Sequence, residues 1–302
     1  MITATRQVKP FLKWAGGKGQ LIEQIVPYLP GAFREGRVNK YFEPFLGGGA
    51  IFFWLAEHYD FENVYLYEIN PAIHICYQVI KKDVKKLIKE LGQLELEYFS
   101  SSDVEKEKLF YEKREEFNVY LKRKASNSFV RRSALLVFLN KTCFNGLYRV
   151  NSSGEFNVPF GRYNNPTICN EDNLLAIHEL LQKAEVICGD FALCLEHADS
   201  ESFVYFDPPY RPLSSTASFT SYSKGAFDDI EQKRLRKVYG ALDKKGALVM
   251  LSNSDPKNVN PDDDFFDDLY NRFHIERLNA TRLINCNADR RGVITEILVR
   301  NY

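Results

Sequence analysis

The tetrapeptide Asp207-Pro208-Pro209-Tyr210 constrains this chain more than any other four residues in it. It closes the apolar run Phe203-Val204-Tyr205-Phe206, and a short run of that kind reads as a buried strand. Neither proline can donate a ladder hydrogen bond, so the strand stops at once. A stiff, extended loop follows at the strand's carboxyl end, the edge where open α/β sheets bind ligands. The loop offers a carboxylate on Asp207, a fixed carbonyl on Pro208 and the ring of Tyr210. Such a set suits a planar base with an exocyclic amine: two acceptors for two N–H donors, and a face for stacking. The plainer reading is a strand and a proline turn, with Tyr210 as packing.

A second cluster weighs against the plainer reading. Tyr41-Phe42-Glu43-Pro44-Phe45-Leu46 is followed by Gly47-Gly48-Gly49 and then by apolar residues from Ala50 to Phe53. Glycines between a strand and a helix let the backbone approach a ligand, and the helix start offers free N–H groups. A second strand, Val64 to Tyr67, ends in Glu68-Ile69-Asn70. An acid about 20 residues beyond the glycines is placed to hydrogen-bond a ribose diol. The pattern is not G-x-G-x-x-G, so adenosylmethionine, which has a ribose but no pyrophosphate, suits it better than a dinucleotide. A third cluster, Pro10 to Lys18, carries Lys13, Trp14, Gly16, Gly17 and Lys18 before a helical pattern from Gln20 to Tyr28. It lacks the spacing of a P-loop.

With those segments in view, the chain resembles the Dam family of DNA adenine-N6 methyltransferases, in the α arrangement of motifs. The matching segments are residues 11–18, 42–49, Asn145-Gly146-Leu147-Tyr148-Arg149, residues 156–163 and Asp207 to Tyr210. They span nearly the whole chain in the family's order. The resemblance implies a Rossmann-like, adenosylmethionine-dependent α/β sheet with an inserted, smaller target-recognition domain of helices and a β-hairpin. It also implies methyl transfer from S-adenosyl-L-methionine to adenine N6 in duplex DNA, within GATC, on a flipped base. Asp207, Pro208, Pro209 and Tyr210 would be catalytic. Trp14, Lys18, Phe45, Gly47, Glu68 and Asp190 would contact the cofactor. Lys13 and Arg149 would read guanines, and Phe144, Asn145, Leu147, Pro159 and Tyr163 would lie near the bases. Phe144 and Leu147 also suit a plain core. Glu68 stands where many relatives carry Asp, and either carboxylate reaches a ribose.

Composition agrees. A chain of 302 residues can bury a sizeable core. Its net charge is zero, which speaks against a strong non-specific nucleic-acid binder while leaving room for a local basic face. No apolar run approaches the roughly 18 residues of a membrane span. Met1 to Lys9 has no apolar signal core. The six cysteines form no C-x-x-C pair and have no histidine cluster beside them, so no metal site or disulfide framework is expected and a cytoplasmic, nucleoid-associated setting is. No Pro-Cys dipeptide occurs; cytosine-C5 methylation needs a thiolate nucleophile, so an amino group is the better target.

Alternating strand and helix patterns imply a parallel-dominated sheet, and the family implies an antiparallel last strand. Residues 1–80 and 171–302 are expected to form the catalytic and cofactor-binding domain, and 81–170 the recognition domain. Within the latter, 81–98 shows helical spacing. Residues 122–132 carry only basic charges and suit either a solvated helix face or a nucleic-acid contact. Residues 147–163 read as a surface hairpin turning at Asn151 to Gly154. Asp228 and Glu231 have capping-box spacing. Ser214 to Lys224 suits a lid or a segment ordered around the base. Asp262 to Asp264 reads as a solvated loop rather than a metal site.

Three rival functions remain open on sequence alone. One is a D-P-P-Y methyltransferase acting on another nucleic-acid site, on RNA or on a protein amide. The others are an NAD-dependent oxidoreductase and a non-catalytic DNA-binding module. The expected partner is duplex DNA. A restriction endonuclease sharing the site, without binding the enzyme, is a possible companion.

Overall fold

The computed structural model describes residues 7–14, 16–122, 128–211, 227–281 and 293–302. In chain order the elements are α1 (Ile22–Ile25), β1 (Lys40–Glu43), α2 (Ala50–His58), β2 (Asn63–Tyr67) and α3 (Pro71–Phe99). Next come α4 (Asp103–Lys122), α5 (Phe129–Thr142), α6 (Glu171–Leu181), β3 (Ala184–Ile187) and β4 (Ser202–Phe206). The last are α7 (Asp229–Lys244), β5 (Leu248–Ser254), α8 (Phe265–Leu269), β6 (His274–Thr281) and β7 (Val293–Arg300). They fall into two compact units. The first comprises Met1–Lys18, Gly47–Asp60 and Glu68–Cys188; the second comprises Gly19–Leu46, Phe61–Tyr67 and Gly189–Tyr302.

The second unit carries the sheet, with strands in the order β2-β1-β4-β5-β7-β6. β1 runs parallel to β2 and β4, with Lys40 opposite Asn63 and Ser202. β4 runs parallel to β5. β7 is antiparallel to both β5 and β6. All five residues of β4 are buried, as expected for an inner parallel strand, whose sequence is apolar throughout rather than alternating. Tyr41 stacks on Phe61 and Phe203, with centroids 5.4 and 6.1 Å away, and Phe33 meets Phe203 edge-on at 5.0 Å. Each such pair contributes roughly 0.5–1.5 kcal/mol beyond area burial. α7 starts where Asp228 accepts hydrogen bonds from the Ile230 and Glu231 N–H groups. The Glu231 carboxylate does not complete the capping box; it pairs with Arg234 instead.

The first unit is mostly helical. α3 packs on α5 and α6, and α4 packs on α5. α3 begins ten residues earlier than the expected 81–98 helix, because Asn70 caps it by accepting from the Ala72 N–H (3.0 Å) and Pro71 fills its first position. Its buried stripe recurs every three or four residues from Ile73 through Tyr77, Ile80, Val84, Leu87, Leu91 and Leu94 to Tyr98. Asp83 leaves helical geometry at φ −135° and kinks it.

Two expectations need correction. The helical pattern from Gln20 to Tyr28 is broken into 3₁₀ turns at 18–20 and 26–28 around the four residues of α1; Pro27 has no N–H with which to continue an α-helix. Residues 147–163 turn back antiparallel, yet the arms are joined by an isolated bridge, Val150 to Phe156, and a second bridge ties Phe160 to Cys143 before the segment. Pro159 breaks the ladder: it has no N–H, and its carbonyl accepts from the Phe144 N–H at 2.9 Å. Among the described residues no helix is long and apolar enough to cross a membrane.

Candidate active site and nucleic-acid interface

In the first unit the glycine loop lies against Trp14. A Cβ on Gly47 would fall 2.6 Å from the indole Nε1, and one on Gly48 would fall 3.2 Å from the Trp14 Cβ. Gly47 also adopts φ +46°, in the left-handed region. Its N–H donates to Glu68 Oε2 (3.1 Å), and its carbonyl accepts from the Tyr77 hydroxyl (3.0 Å). Glu68 Oε1 accepts from the Asn70 N–H at 2.8 Å. Burial pushes the Glu68 carboxyl above its usual range, against the pull of those two N–H donors. Lys18 is 2% exposed, and its Nζ donates to the Gly16 carbonyl at 2.9 Å. Trp14, Gly47 and Glu68 are therefore connected: the Gly47 position is closed to a side chain by the indole, and its N–H is tied to a buried acid.

In the second unit the Asp207–Tyr210 loop leaves β4 and is held at Asp207, Pro209 and Tyr210. The Ser252 hydroxyl donates to Asp207 Oδ1 at 3.2 Å and is itself 2.9 Å from the Tyr205 hydroxyl. The Pro209 carbonyl accepts from Gln232 Nε2 (3.3 Å), and Gln232 Oε1 accepts from Asn253 Nδ2 (3.2 Å). Gln232 and Asn253 are fully buried. The Tyr210 hydroxyl donates to Glu296 on β7. Burial, followed by the charges of Asp207 and Glu296, pushes the Tyr210 phenol up, so it stays a neutral donor. Arg211 closes the loop by pairing with Asp229 and Asp263, 2.7 Å from each, and by lying 4.2 Å over the Phe265 ring.

Phe45 belongs to an aromatic cluster in the same unit, 5.2 Å from Phe191, 5.5 Å from Phe227 and 6.2 Å from Phe206. Asp190 accepts two hydrogen bonds from Arg234, at 2.9 and 2.6 Å, and a third from the Ala192 N–H at 2.9 Å. The guanidinium holds its carboxyl below the ordinary aspartate value.

The first unit also gathers the residues expected to face DNA. The Tyr163 hydroxyl accepts from the Asn145 N–H at 3.0 Å, and the Lys13 ammonium sits 3.9 Å from the Tyr163 ring centroid. Desolvation lowers the Lys13 pKa. Arg149 is exposed, and Asn157 accepts from its Nε at 2.8 Å and from its Nη2 at 3.3 Å. Phe144 is 52% exposed, which removes the core reading for it, and Leu147 is half-buried. Pro159 is exposed. The described side chains of the basic run have partners or cover within this unit. Arg131 is spent on Glu116 and Glu90, Lys122 pairs with Glu155, and Arg132 is buried. Residues 123–127, Ser214 to Lys224, Cys286, Arg290 and Arg291 lie outside the described residues.

Sequence reasoning missed Ser252, Gln232, Glu296, Arg234 and Asn140. Only Asn140, a lone amide after the apolar run Ala134 to Leu139 in α5, left a signal. Among the described residues no group of three or more His, Cys, Asp or Glu side chains is placed to hold a metal ion.

A parallel-dominated α/β sheet with Asp-Pro-Pro-Tyr at the carboxyl end of β4, a glycine loop after β1 and an acid after β2 defines a Rossmann-like methyltransferase. The chain belongs to the D12 class N6 adenine-specific DNA methyltransferases, which it matches over residues 14–284, and is an adenine-specific DNA methyltransferase. It is 50% identical over 297 residues to the Type II methyltransferase M.MjaIII of Methanocaldococcus jannaschii, covering 98% of this chain and all of that one. The Type II methyltransferase M1.LlaDCHI of Lactococcus lactis is 38% identical, covering 98% of this chain and 96% of the relative. The DNA adenine methylase of Escherichia coli K12 is 33% identical over 290 residues, covering 96% of this chain and 94% of the relative.

Proposed function

We propose that the protein methylates the N6 amine of the adenine in GATC, in duplex DNA, with the base turned out of the helix. The observation that carries this reading is the anchored Asp207–Tyr210 loop. The Ser252 hydroxyl donates to Asp207 Oδ1 and the Tyr210 hydroxyl donates to Glu296, so β5 and β7 fix the two ends of the loop. Trp14, Lys18, Phe45, Gly47, Glu68 and Asp190 would hold S-adenosylmethionine. The Gly47 backbone, closed to side chains, and the buried Glu68 carboxylate suit its ribose. That cofactor supplies a methyl group already activated by a sulfonium charge.

The remaining work falls to this chain's own residues. Asp207 and the Pro208 carbonyl accept the two amine hydrogens. They draw the nitrogen toward tetrahedral geometry and stabilise the positive charge that develops on it. Asp207 takes the released proton, as a weak base given its low reference pKa. Tyr210, its hydroxyl committed to Glu296, offers its ring for stacking, because the amine is out of reach inside a duplex. Lys13 and Arg149 read the guanines, an arginine by two bonds to O6 and N7. Phe144, Asn145, Leu147, Pro159 and Tyr163 line the bases. Residues 81–170 serve as the recognition domain, and 1–80 with 171–302 as the catalytic domain. The enzyme works in the cytoplasm, and the Type II names of two relatives support a companion restriction endonuclease reading the same site.

The test is labelled-methyl transfer to a GATC duplex, with GTTC and GATG duplexes, RNA and protein alongside. Label on GATC alone supports the reading. Label on another duplex, on RNA or on protein overturns the assigned site or substrate. Asp207→Ala is expected to abolish turnover while S-adenosylmethionine still binds by calorimetry; wild-type turnover would refute its role.

A further inference from the structure

Lys13 lies near the start of the chain and Arg149 lies beyond α5, yet the residues around them are held together by one buried amide. Asn140, in the last turn of α5, is 2% exposed. Its Oδ1 accepts from the Lys13 N–H at 2.7 Å, and its Nδ2 donates to the Lys13 carbonyl at 2.9 Å. The same Nδ2 donates to the Gly146 carbonyl at 2.7 Å. Both amide hydrogens and the carbonyl oxygen are thus engaged. The amide grips Lys13 at its two main-chain groups, much as a neighbouring strand would, and ties Gly146 to the same point.

The two backbones also meet directly. A Cβ on Gly146 would lie 2.4 Å from Lys13 Cβ and 2.5 Å from its Cδ, so the loop and the lysine are in contact with no side chain between them. Gly146 stands in the short segment that leads to Arg149. The Arg149 guanidinium is steadied in turn by Asn157. Any shift of Gly146 relative to Lys13 therefore changes the spacing of the two cations presented to DNA.

We propose that Asn140 is the positioning residue that holds Lys13 and Arg149 in one frame, so that selectivity at both outer base pairs of the site depends on a buried side chain. The proposal rests on the reading of Lys13 and Arg149 as the guanine contacts. Bidentate readout demands placement to a fraction of a hydrogen-bond length. Two side chains reading base pairs a fixed distance apart gain selectivity together only when their separation is fixed.

The variants Asn140→Ala and Asn140→Asp separate this role from plain core stability. Alanine removes all three bonds. Aspartate keeps an acceptor for the Lys13 N–H but turns a carboxylate toward two carbonyl oxygens. The readout is the ratio of kcat/KM on GATC to kcat/KM on duplexes altered at the first or the last base pair. Both variants are expected to lower that ratio at least tenfold at each position, with S-adenosylmethionine affinity within twofold of wild type. A uniform loss of activity on every duplex, with unchanged ratios, would mean a structural role only and would overturn the proposal. Should neither variant fold, Gly146→Ala leaves Asn140 intact and pushes Lys13 aside, and unchanged ratios there would overturn it equally. Lys13→Ala and Arg149→Ala run in parallel. If those two leave the ratios unchanged, the guanine assignment has failed. If they shift the ratios and the Asn140 variants do not, the positioning proposal alone has failed.

Discussion

Replacing Gly47 with alanine separates two costs that the structure makes distinct. The first is conformational. At φ +46° an L-residue gives up roughly 1–2 kcal/mol relative to its preferred regions. The second is steric. The new methyl would sit 2.6 Å from Trp14 Nε1 and 3.0 Å from its Cδ1, well inside contact distance. The indole must retreat, and overpacking of that kind costs about 1–3 kcal/mol. Gly36→Ala is the control, since Gly36 has φ +63° with nothing within 4 Å of the added carbon. It should show the conformational cost alone, so urea unfolding should rank Gly47→Ala about 1–3 kcal/mol below Gly36→Ala. Calorimetric titration adds the functional half. If Trp14 and the glycine loop hold the cofactor, affinity for S-adenosylmethionine falls tenfold or more in Gly47→Ala and stays within twofold in Gly36→Ala. Equal destabilisation of the two variants, together with unchanged affinity in both, would refute the reasoning.

Three further outcomes are expected. Tyr210→Phe and Glu296→Gln should each slow turnover about five- to tenfold, on the order of 1 kcal/mol for a weakened hydrogen bond, and the double variant should be no slower than the worse single one; additive effects would mean that Glu296 does not act through Tyr210. Asn118 is buried, accepts from the Phe156 N–H at 2.7 Å and donates to its carbonyl at 3.2 Å, so Asn118→Ala strands two main-chain groups and should cost about 2–4 kcal/mol by urea unfolding, a loss below about 0.5 kcal/mol counting against it. Asp190 has a folded pKa below its unfolded one because Arg234 favours the carboxylate, so its contribution to stability is present above about pH 4 and is lost as pH falls through the folded value; the stability gap between wild type and Asp190→Asn should narrow from pH 5 to pH 2, and a constant gap would exclude the linkage.

What was legible in the sequence was what neighbouring residues impose on one another. Pro208 and Pro209 end β4 whatever the rest of the chain does, and Asp228 caps α7 through N–H groups two and three residues away. The triple glycine and the acid after β2 followed from spacing alone. Illegible features depended on partners far along the chain. The run 122–132 offers basic side chains to any reader of the sequence, but Arg131 finds its carboxylates on Glu116 and Glu90, and nothing local announces that pairing. Glu296 is an ordinary strand glutamate until the register of β7 on β5, where it stands opposite Ser254, brings it to Tyr210. The helix expected across Gln20 to Tyr28 fails for the opposite reason: Pro27 acts locally, and its missing N–H outweighs the apolar periodicity.

The parallel pairing of β1 with β4 has a consequence for synthesis on the ribosome. Lys40 sits opposite Ser202, so β4, the inner partner of β1, is translated about 160 residues later, a delay of ~8–30 s at usual elongation rates. Throughout that interval β1 and β2 can pair with each other but not with the inner strand, and an unpaired strand edge is a template for aggregation. A nascent chain of this enzyme is therefore a natural client for chaperones that shield apolar strands, and a truncation ending before β4 should accumulate as insoluble protein rather than as a folded half.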